Sequence, residues 1–329
     1  MKLRKITYSQ AILEGFDYLL ENYPEVFVIG QGLWSPWYVG ETMRNLEKKF
    51  GTNRIIDTPV SESACTAAAL GASISGMKPI VVHPRMDFML FATDSIVNEA
   101  AKWSFMFGGQ SHPSLTIRSI INRGGEQGAQ HSQALHSWFA HIPGLRVVMP
   151  STVEDARDLL VSSVLCKDPV IYIDDRWLYS EESEIGQIKE ESLKNIGPKI
   201  LNHGNNLTIV GAGYSAYLAL KASKELKKDN IDCEVIDLRI VNPIDIKLIK
   251  NSVQKTGRLI VIDGGWKSCS LSSEILALIS ENVPTSFIKK NPRRITIKNT
   301  PAPTSTNLEI KYYPDLNCIC KSAKDLMAL

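Results

Sequence analysis

Long apolar runs are missing from this chain. No stretch approaches the roughly 18 uninterrupted apolar residues of a membrane-crossing helix. The opening MKLRKITYSQAILEGF carries basic residues but no apolar block ending in a small-residue cleavage site. The expectation is a cytoplasmic protein with no membrane partner. A surplus of one charge is missing too. Lys and Arg number 37 against 35 Asp and Glu, a formal net charge of +2, which gives no reason to expect nucleic acid as a partner. Cysteine is sparse and scattered: Cys65, Cys166, Cys233, Cys269, Cys318 and Cys320. That spacing reads as reduced thiols rather than a disulfide framework. Cys318 and Cys320 form a C-x-C pair, but no second cysteine pair has metal spacing, so zinc is not expected there. What remains is a globular composition, 44% apolar and 22% charged over 329 residues. A chain of that length buries a core without metal or disulfide, and suggests two domains or one large one.

Apolar periodicity alternates between helix and strand. Residues 9–23 put Ile12, Leu13, Phe16, Leu19 and Leu20 on one helical face. A short buried strand over 26–29 stops at Gly30, and an amphipathic helix over 41–50 ends at Gly51. Strands are expected over 54–57, 80–82, 115–119 and 170–173, with helices over 61–75, 94–107 and 152–165 between them. Residues 180–198 are polar and charged with little periodicity, as in a linker. Strands over 207–210, 233–238 and 259–262 then alternate with helices over 214–226, 246–254 and 271–279. The expectation is an α/β protein with a mostly parallel sheet in residues 1–185, a linker at 186–199, and a smaller α/β domain from 200 to 329.

Three segments could carry chemistry. Leu207 to Ala216 runs from a strand through G-x-G-x-x-A into a helix, with Glu234 and Asp237 about twenty residues on. Glycines there suit a dinucleotide pyrophosphate or merely a sharp turn, and the turn is favoured. Asp57-Thr-Pro-Val-Ser-Glu-Ser63 leads into a helix of very small residues. Glu62 either complements the helix dipole from its first turn or is a buried carboxyl holding a proton. Arg123-Gly-Gly-Glu-Gln-Gly-Ala-Gln-His-Ser-Gln133 is a polar, glycine-rich loop, a type of segment that often carries function. In it, Gln130, Ser132 and Gln133 can orient the imidazole of His131. His136 and His141 stand five apart, which does not suit two metal ligands on one helix face.

Several motifs, in order along the whole chain, support a family assignment. They are Arg54-Ile-Ile-Asp-Thr-Pro-Val-Ser-Glu62, Gly71 and Gly76, Gln130-His-Ser-Gln133, and His141-x-Pro-Gly-Leu-x-Val-Val-x-Pro150. Val235-Ile-Asp-Leu-Arg239, Asn242-Pro-Ile-Asp245 and Asp263-Gly-Gly-Trp266 follow. Together they resemble the beta subunit of the thiamine-diphosphate-dependent decarboxylating component of 2-oxo acid dehydrogenases, including the pyruvate, branched-chain and acetoin enzymes. The resemblance implies a transketolase-type pyrimidine-binding domain followed by a transketolase-type C-terminal domain. It implies that Glu62 hydrogen-bonds the pyrimidine ring nitrogen of thiamine diphosphate, that Phe88 stacks on the pyrimidine, and that His131 faces the substrate or acyl carrier. It further implies a potassium ion held mainly by backbone carbonyls among Leu115, Thr116, Ser163, Cys166 and Asp168.

The same resemblance makes one absence informative. Members of this superfamily hold the diphosphate through Mg²⁺ and a Gly-Asp-Gly motif, and no Gly-Asp-Gly occurs here. The implied partner is an alpha subunit that brings Mg²⁺, in an α₂β₂ heterotetramer, with a lipoyl-bearing acyltransferase as a further partner and a small 2-oxo acid as substrate. Departures from the family pattern are Gln31 after Gly30, His83 and Arg85 in the segment Val82 to Phe88, and Arg123. They leave a second expectation open, transfer of a pyruvate-derived acetyl unit to a sugar instead of a lipoyl arm. A binding module that lost its chemistry is a third, disfavoured because Glu62, Phe88 and His131 stand together.

Overall fold

The computed structural model describes residues 3–328. It divides the chain into two compact units. The first takes residues up to Arg123 and His131–Ile196; the second takes Gly124–Gln130 and the chain from Gly197 onward.

The first unit opens with β1 (Arg4–Thr7), which ends in a helix start that the sequence encodes locally. The Thr7 hydroxyl accepts from the backbone N–H of Gln10 at 3.2 Å, and the Gln10 side chain accepts from the Thr7 N–H at 2.9 Å, a reciprocal cap. The helix Tyr8–Asn22 buries Ile12, Phe16, Leu19 and Leu20. It packs on the helix Val153–Val164, with Gly15 allowing close approach to Leu160 and Arg157. The central strands are β2 (Val26–Gln31), β3 (Ile55–Thr58), β4 (Lys78–His83), β5 (Thr116–Ile121), β6 (Arg146–Val148) and β7 (Val170–Asp175). They run parallel in the order β6-β7-β5-β4-β2-β3. β5 and β7 are buried along their whole length, as expected of a sheet covered on both faces. β8 (Glu182–Ile185) pairs antiparallel with β1, so the start of the polar run is strand, not linker.

Two expected helices differ. The helix expected over 41–50 is only Leu46–Phe50, because Glu41 and Asn45 adopt positive φ angles of 65° and 62° that helical backbone cannot continue through. The segment expected as one helix over 94–107 has wide π-type turns over Asp94–Ala100 and α-geometry only over Ala101–Met106.

In the second unit the strands are β9 (Lys199–Asn202), β10 (Leu207–Gly211), β11 (Cys233–Asp237), β12 (Ile240–Asn242), β13 (Leu259–Trp266) and β14 (Arg293–Ile297). Five of them form a sheet in the order β14-β13-β10-β11-β9, with only β9 antiparallel. Its core joins Leu207, Ile209, Val235 and Ile260 to Ala219, Leu226, Ile319 and Leu326 from two helices. The loop Gly124–Gln130 belongs here because Glu126 is tied into it. Glu126 Oε1 accepts from the Thr306 hydroxyl at 2.5 Å, and its backbone N–H donates to Glu309 Oε2 at 3.0 Å. Among the described residues no helix is long and apolar enough to cross a membrane, and no three His, Cys, Asp or Glu side chains gather as metal ligands.

Candidate active site

The C-terminal ends of β2 and β4, with the chain leaving β3, open into a small, solvent-open cleft. Open parallel sheets bind ligands at this edge. Gly30, Gln31, Thr58, Glu62, His83 and Pro84 are among its lining residues. Glycine is required at position 30, because a Cβ there would stand 2.4 Å from the carbonyl oxygen of Val82 on the neighbouring strand.

Glu62 is the first residue of the small-residue helix Glu62–Ile74. Its side chain is half-buried, not enclosed, and its carboxylate makes no hydrogen bond or ion pair among the described residues. The preceding Ser61 supplies no side-chain cap. The next residue anchors the helix start: Ser63 Oγ donates to the carbonyl of Phe91. Phe91 belongs to the tight helical turns Met86–Ala92 that carry Phe88, and the helix packs on these turns.

Phe88 and His131, 43 residues apart, meet edge to face, with ring centroids 5.1 Å apart and planes at 89°. Asp87, next to Phe88, ties this segment to Gln133, two residues past His131. Its Oδ1 accepts from the Gln133 side chain at 2.8 Å and from the Gln133 backbone at 3.2 Å. Burial raises the Asp87 carboxyl above its usual range, and the Gln133 hydrogen bonds oppose that rise. His83 is buried, its Nε2 lies 3.3 Å from the Thr66 hydroxyl, and burial pushes its pKa down to about 4. It lines the cleft as a neutral ring.

Known proteins share this organisation. The pyrimidine-binding domain of transketolase matches residues 4–181 and the transketolase C-terminal domain matches residues 198–319. The beta subunit of acetoin:2,6-dichlorophenolindophenol oxidoreductase from Cupriavidus necator is 35% identical, covering 98% of both chains. The mitochondrial pyruvate dehydrogenase E1 beta subunit of Bos taurus is 33% identical over 97% of this chain and 90% of its own. The pyruvate dehydrogenase E1 component beta subunit of Rickettsia bellii is 34% identical over 93% of both chains. The chain belongs to the beta subunits of the E1 component of 2-oxo acid dehydrogenases. Its fold also matches a split-gene transketolase in an inactive beta4 tetramer, with a TM-score of 0.77, 18% identity and 98% coverage of both chains.

Other candidate residues of this beta-type chain have structural occupations. Asp57 accepts from the backbone N–H of Gly32 at 2.6 Å and of Trp34 at 3.3 Å, shaping the loop after β2. Arg123 is paired with Asp175 at 2.6 Å and lies over the Trp177 ring. Asp263 accepts from Gly265 and Ser272 backbone N–H groups, both at 2.9 Å. At the G-x-G-x-x-A segment, Gly211 permits close packing on Ala216, whose N would stand 2.7 Å from a Cβ. The acids downstream are engaged: Glu234 pairs with Lys255 at 2.5 Å and Asp237 accepts from Arg239 N–H. The segment is a strand-to-helix turn. Leu115, Thr116, Ser163, Cys166 and Asp168 lie on segments leading into β5 and β7. The Asp168 carboxylate is held by Arg146 at 2.7 Å, and the Leu115 carbonyl accepts from Val170 N–H at 2.9 Å. Asp87 and Arg176 escaped the sequence reading. Their signals were the Met86-Asp-Phe88 string around a candidate aromatic and an arginine directly after the paired acids Asp174 and Asp175.

Proposed function

We propose that this chain forms the pyrimidine side of a thiamine-diphosphate site in an enzyme that decarboxylates a small 2-oxo acid together with an alpha subunit. One observation carries the reading. Glu62 presents a carboxylate free of protein partners in a cleft at the C-terminal edge of the sheet, and the same helix start is tied to the turn where Phe88 meets His131. These residues fit the pyrimidine. Glu62 holds a proton at the ring nitrogen, and Phe88 offers a flat apolar face. His131, held edge-on to Phe88, donates a hydrogen bond to oxygen as negative charge develops on the substrate. His83, kept neutral by burial, adds no positive charge and is oriented by Thr66. When bound, the cofactor supplies a carbon nucleophile and an electron sink for the pair left as CO₂ departs.

The alpha subunit brings Mg²⁺ in this reading, because the chain has no Gly-Asp-Gly. Exposed apolar side chains support a partner: Phe105 is 91% exposed, Phe91 69% and Trp138 61%, large surfaces for an unpartnered chain to leave in water. An α₂β₂ heterotetramer in the cytoplasm, a lipoyl arm as acyl acceptor, and a potassium ion on the carbonyls near Leu115 and Ser163 complete the proposal. Transfer to a sugar finds no support among the relatives. The test is Glu62→Gln in the reconstituted complex, read as proton exchange at the thiazolium carbon. A loss of about 10²–10⁴-fold is expected for a group in proton transfer, with the fold intact. An unchanged exchange rate sinks the assignment.

A further inference from the structure

Four arginines stand on or just beyond three neighbouring strands of the first unit. Two have carboxylate partners, Arg118 with Asp174 at 2.7 Å and Arg123 with Asp175 at 2.6 Å. The other two, Arg85 and Arg176, have no carboxylate within ion-pair distance among the described residues. Arg85 Nη1 donates to the Pro84 carbonyl at 3.0 Å, and Arg176 Nη2 to the Tyr38 carbonyl. Both Nε atoms are buried with no acceptor. A guanidinium presents five donors in a fixed fork, so most of this capacity meets no protein acceptor.

Both residues leave the same edge of the sheet. His83 on β4 registers with Ser119 on β5, which registers with Ile173 on β7. Arg85 and Arg176 follow two and three residues beyond those positions. The cleft lies beside them: Pro84 lines it, and Tyr38, which holds Arg176 through its carbonyl, accepts from the lining residue Gln31 at 3.1 Å. Asp87 is the nearest acid in sequence: its Oδ1 belongs to Gln133 and its Oδ2 is buried without a partner, so its charge acts on Arg85 without an ion pair. Burial lowers the Arg85 pKa and the positive charge of Arg176 lowers it further, more than Tyr38, Asp87 and Tyr179 together raise it. An anion between them would relieve both effects.

We propose that Arg85 and Arg176 form an anion subsite beside the Glu62 cleft, for a carboxylate or phosphate that stays on a small-molecule substrate throughout the reaction. This rests on the 2-oxo acid reading above and adds a substrate class to it. The carboxylate that leaves as CO₂ is a poor occupant, since contacts stronger before the transition state than in it slow the step. A permanent anion has no such conflict. It is either the side-chain acid of a 2-oxo diacid or, where a small molecule takes the place of the lipoyl arm, an anionic group on that acceptor.

The test uses the reconstituted complex, wild type against Arg85→Gln and Arg176→Gln, with Arg85→Lys and Arg176→Lys retaining the charge. Calorimetric titration with inorganic phosphate reads the subsite without turnover. Each Gln variant should weaken binding about tenfold or more, the scale of a charged hydrogen bond, and the Lys variants less. One kinetic arm compares 2-oxoglutarate with 2-oxobutyrate, using 2,6-dichlorophenolindophenol as oxidant. The other compares 4-formylbenzoate with benzaldehyde as carbon acceptors. A preference for the anionic member, shrinking in the Gln variants, supports the inference and assigns the anion to donor or acceptor by arm. No phosphate binding in the wild type, binding indifferent to the variants, or no preference in either arm overturns it. So does a loss of thiamine diphosphate affinity without loss of thiamine affinity, which would give the pair to the cofactor. Absence of all 2-oxo acid turnover would sink the functional reading, while the phosphate titration still decides the subsite.

Discussion

Removing Arg118 should damage the protein more than removing Arg118 and Asp174 together. The two side chains are fully buried, with Nε to Oδ1 at 2.9 Å and Nη2 to Oδ2 at 2.7 Å. Thr42 Oγ1 and Tyr179 OH accept from Arg118 at 2.8 and 3.0 Å, and Tyr179 OH donates to Asp174 at 2.5 Å. Burial alone would lower the Arg118 pKa, but the charge of Asp174, the electrostatic pull of Tyr179 and Tyr172 and the Asp174 hydrogen bonds outweigh it and raise the value. Every charge is matched, so each single truncation leaves an uncompensated charge in a dry sheet. Arg118→Met and Asp174→Leu should each cost about 3–5 kcal/mol. If the two were independent, the double variant would lose the sum, roughly 6–10 kcal/mol. In the double variant no charge is stranded, and the main residual defect is the Tyr179 hydroxyl without its acceptor, about 1–3 kcal/mol. Urea unfolding, followed by tryptophan fluorescence and circular dichroism, gives the three midpoints. Additive losses, or single losses below about 1 kcal/mol, would refute the claim that this pair is desolvated and mutually dependent.

A pH effect is expected from His83, whose folded pKa of about 4 lies below the ordinary histidine value. Its contribution to stability is complete above about pH 6.5 and is lost as pH falls through 4, some 3 kcal/mol in all. His83→Gln should flatten that part of the stability-against-pH curve, and an unchanged slope would contradict it. Gly30→Ala forces a methyl to within 2.4 Å of the Val82 carbonyl and should cost about 1–3 kcal/mol as an overpacked contact; a wild-type melting midpoint would show that the strands can part. His131→Ala in the complex should leave exchange at the thiazolium carbon largely intact while slowing a later step, separable by single-turnover kinetics; loss of exchange first would assign His131 a different role.

The parts of the molecule legible in the sequence are those fixed by neighbours. The strand around Val28, the apolar face of Ile12 and Phe16, and the stop at Gly51 all follow from periods and glycines a few residues long. What escaped depends on distant chain. β1 and β8 are short and charged, and they are strands because they find each other across about 180 residues. The shortened helix at Leu46–Phe50 turns on two non-glycine residues at positive φ, which composition does not announce. In the candidate site, Glu62 and His131 lie in the quoted motifs and Phe88 follows from the family resemblance. The Asp87 tie to Gln133 and the unpaired Arg85 and Arg176 needed three-dimensional accounting, because an arginine's partner is not written beside it.

The excursion of Gly124–Gln130 into the second unit has a consequence for how the protein is made. The ribosome delivers this loop early, but Thr306 and Glu309, which hold Glu126, emerge about 180 residues later. At roughly 5–20 residues per second of synthesis, the loop waits on the order of ten seconds or more for its anchor. His131 is the next residue after it in the chain. A nascent chain halted before position 306 can therefore complete the strands of its first sheet while the segment that leads into its candidate catalytic histidine still has nowhere to dock.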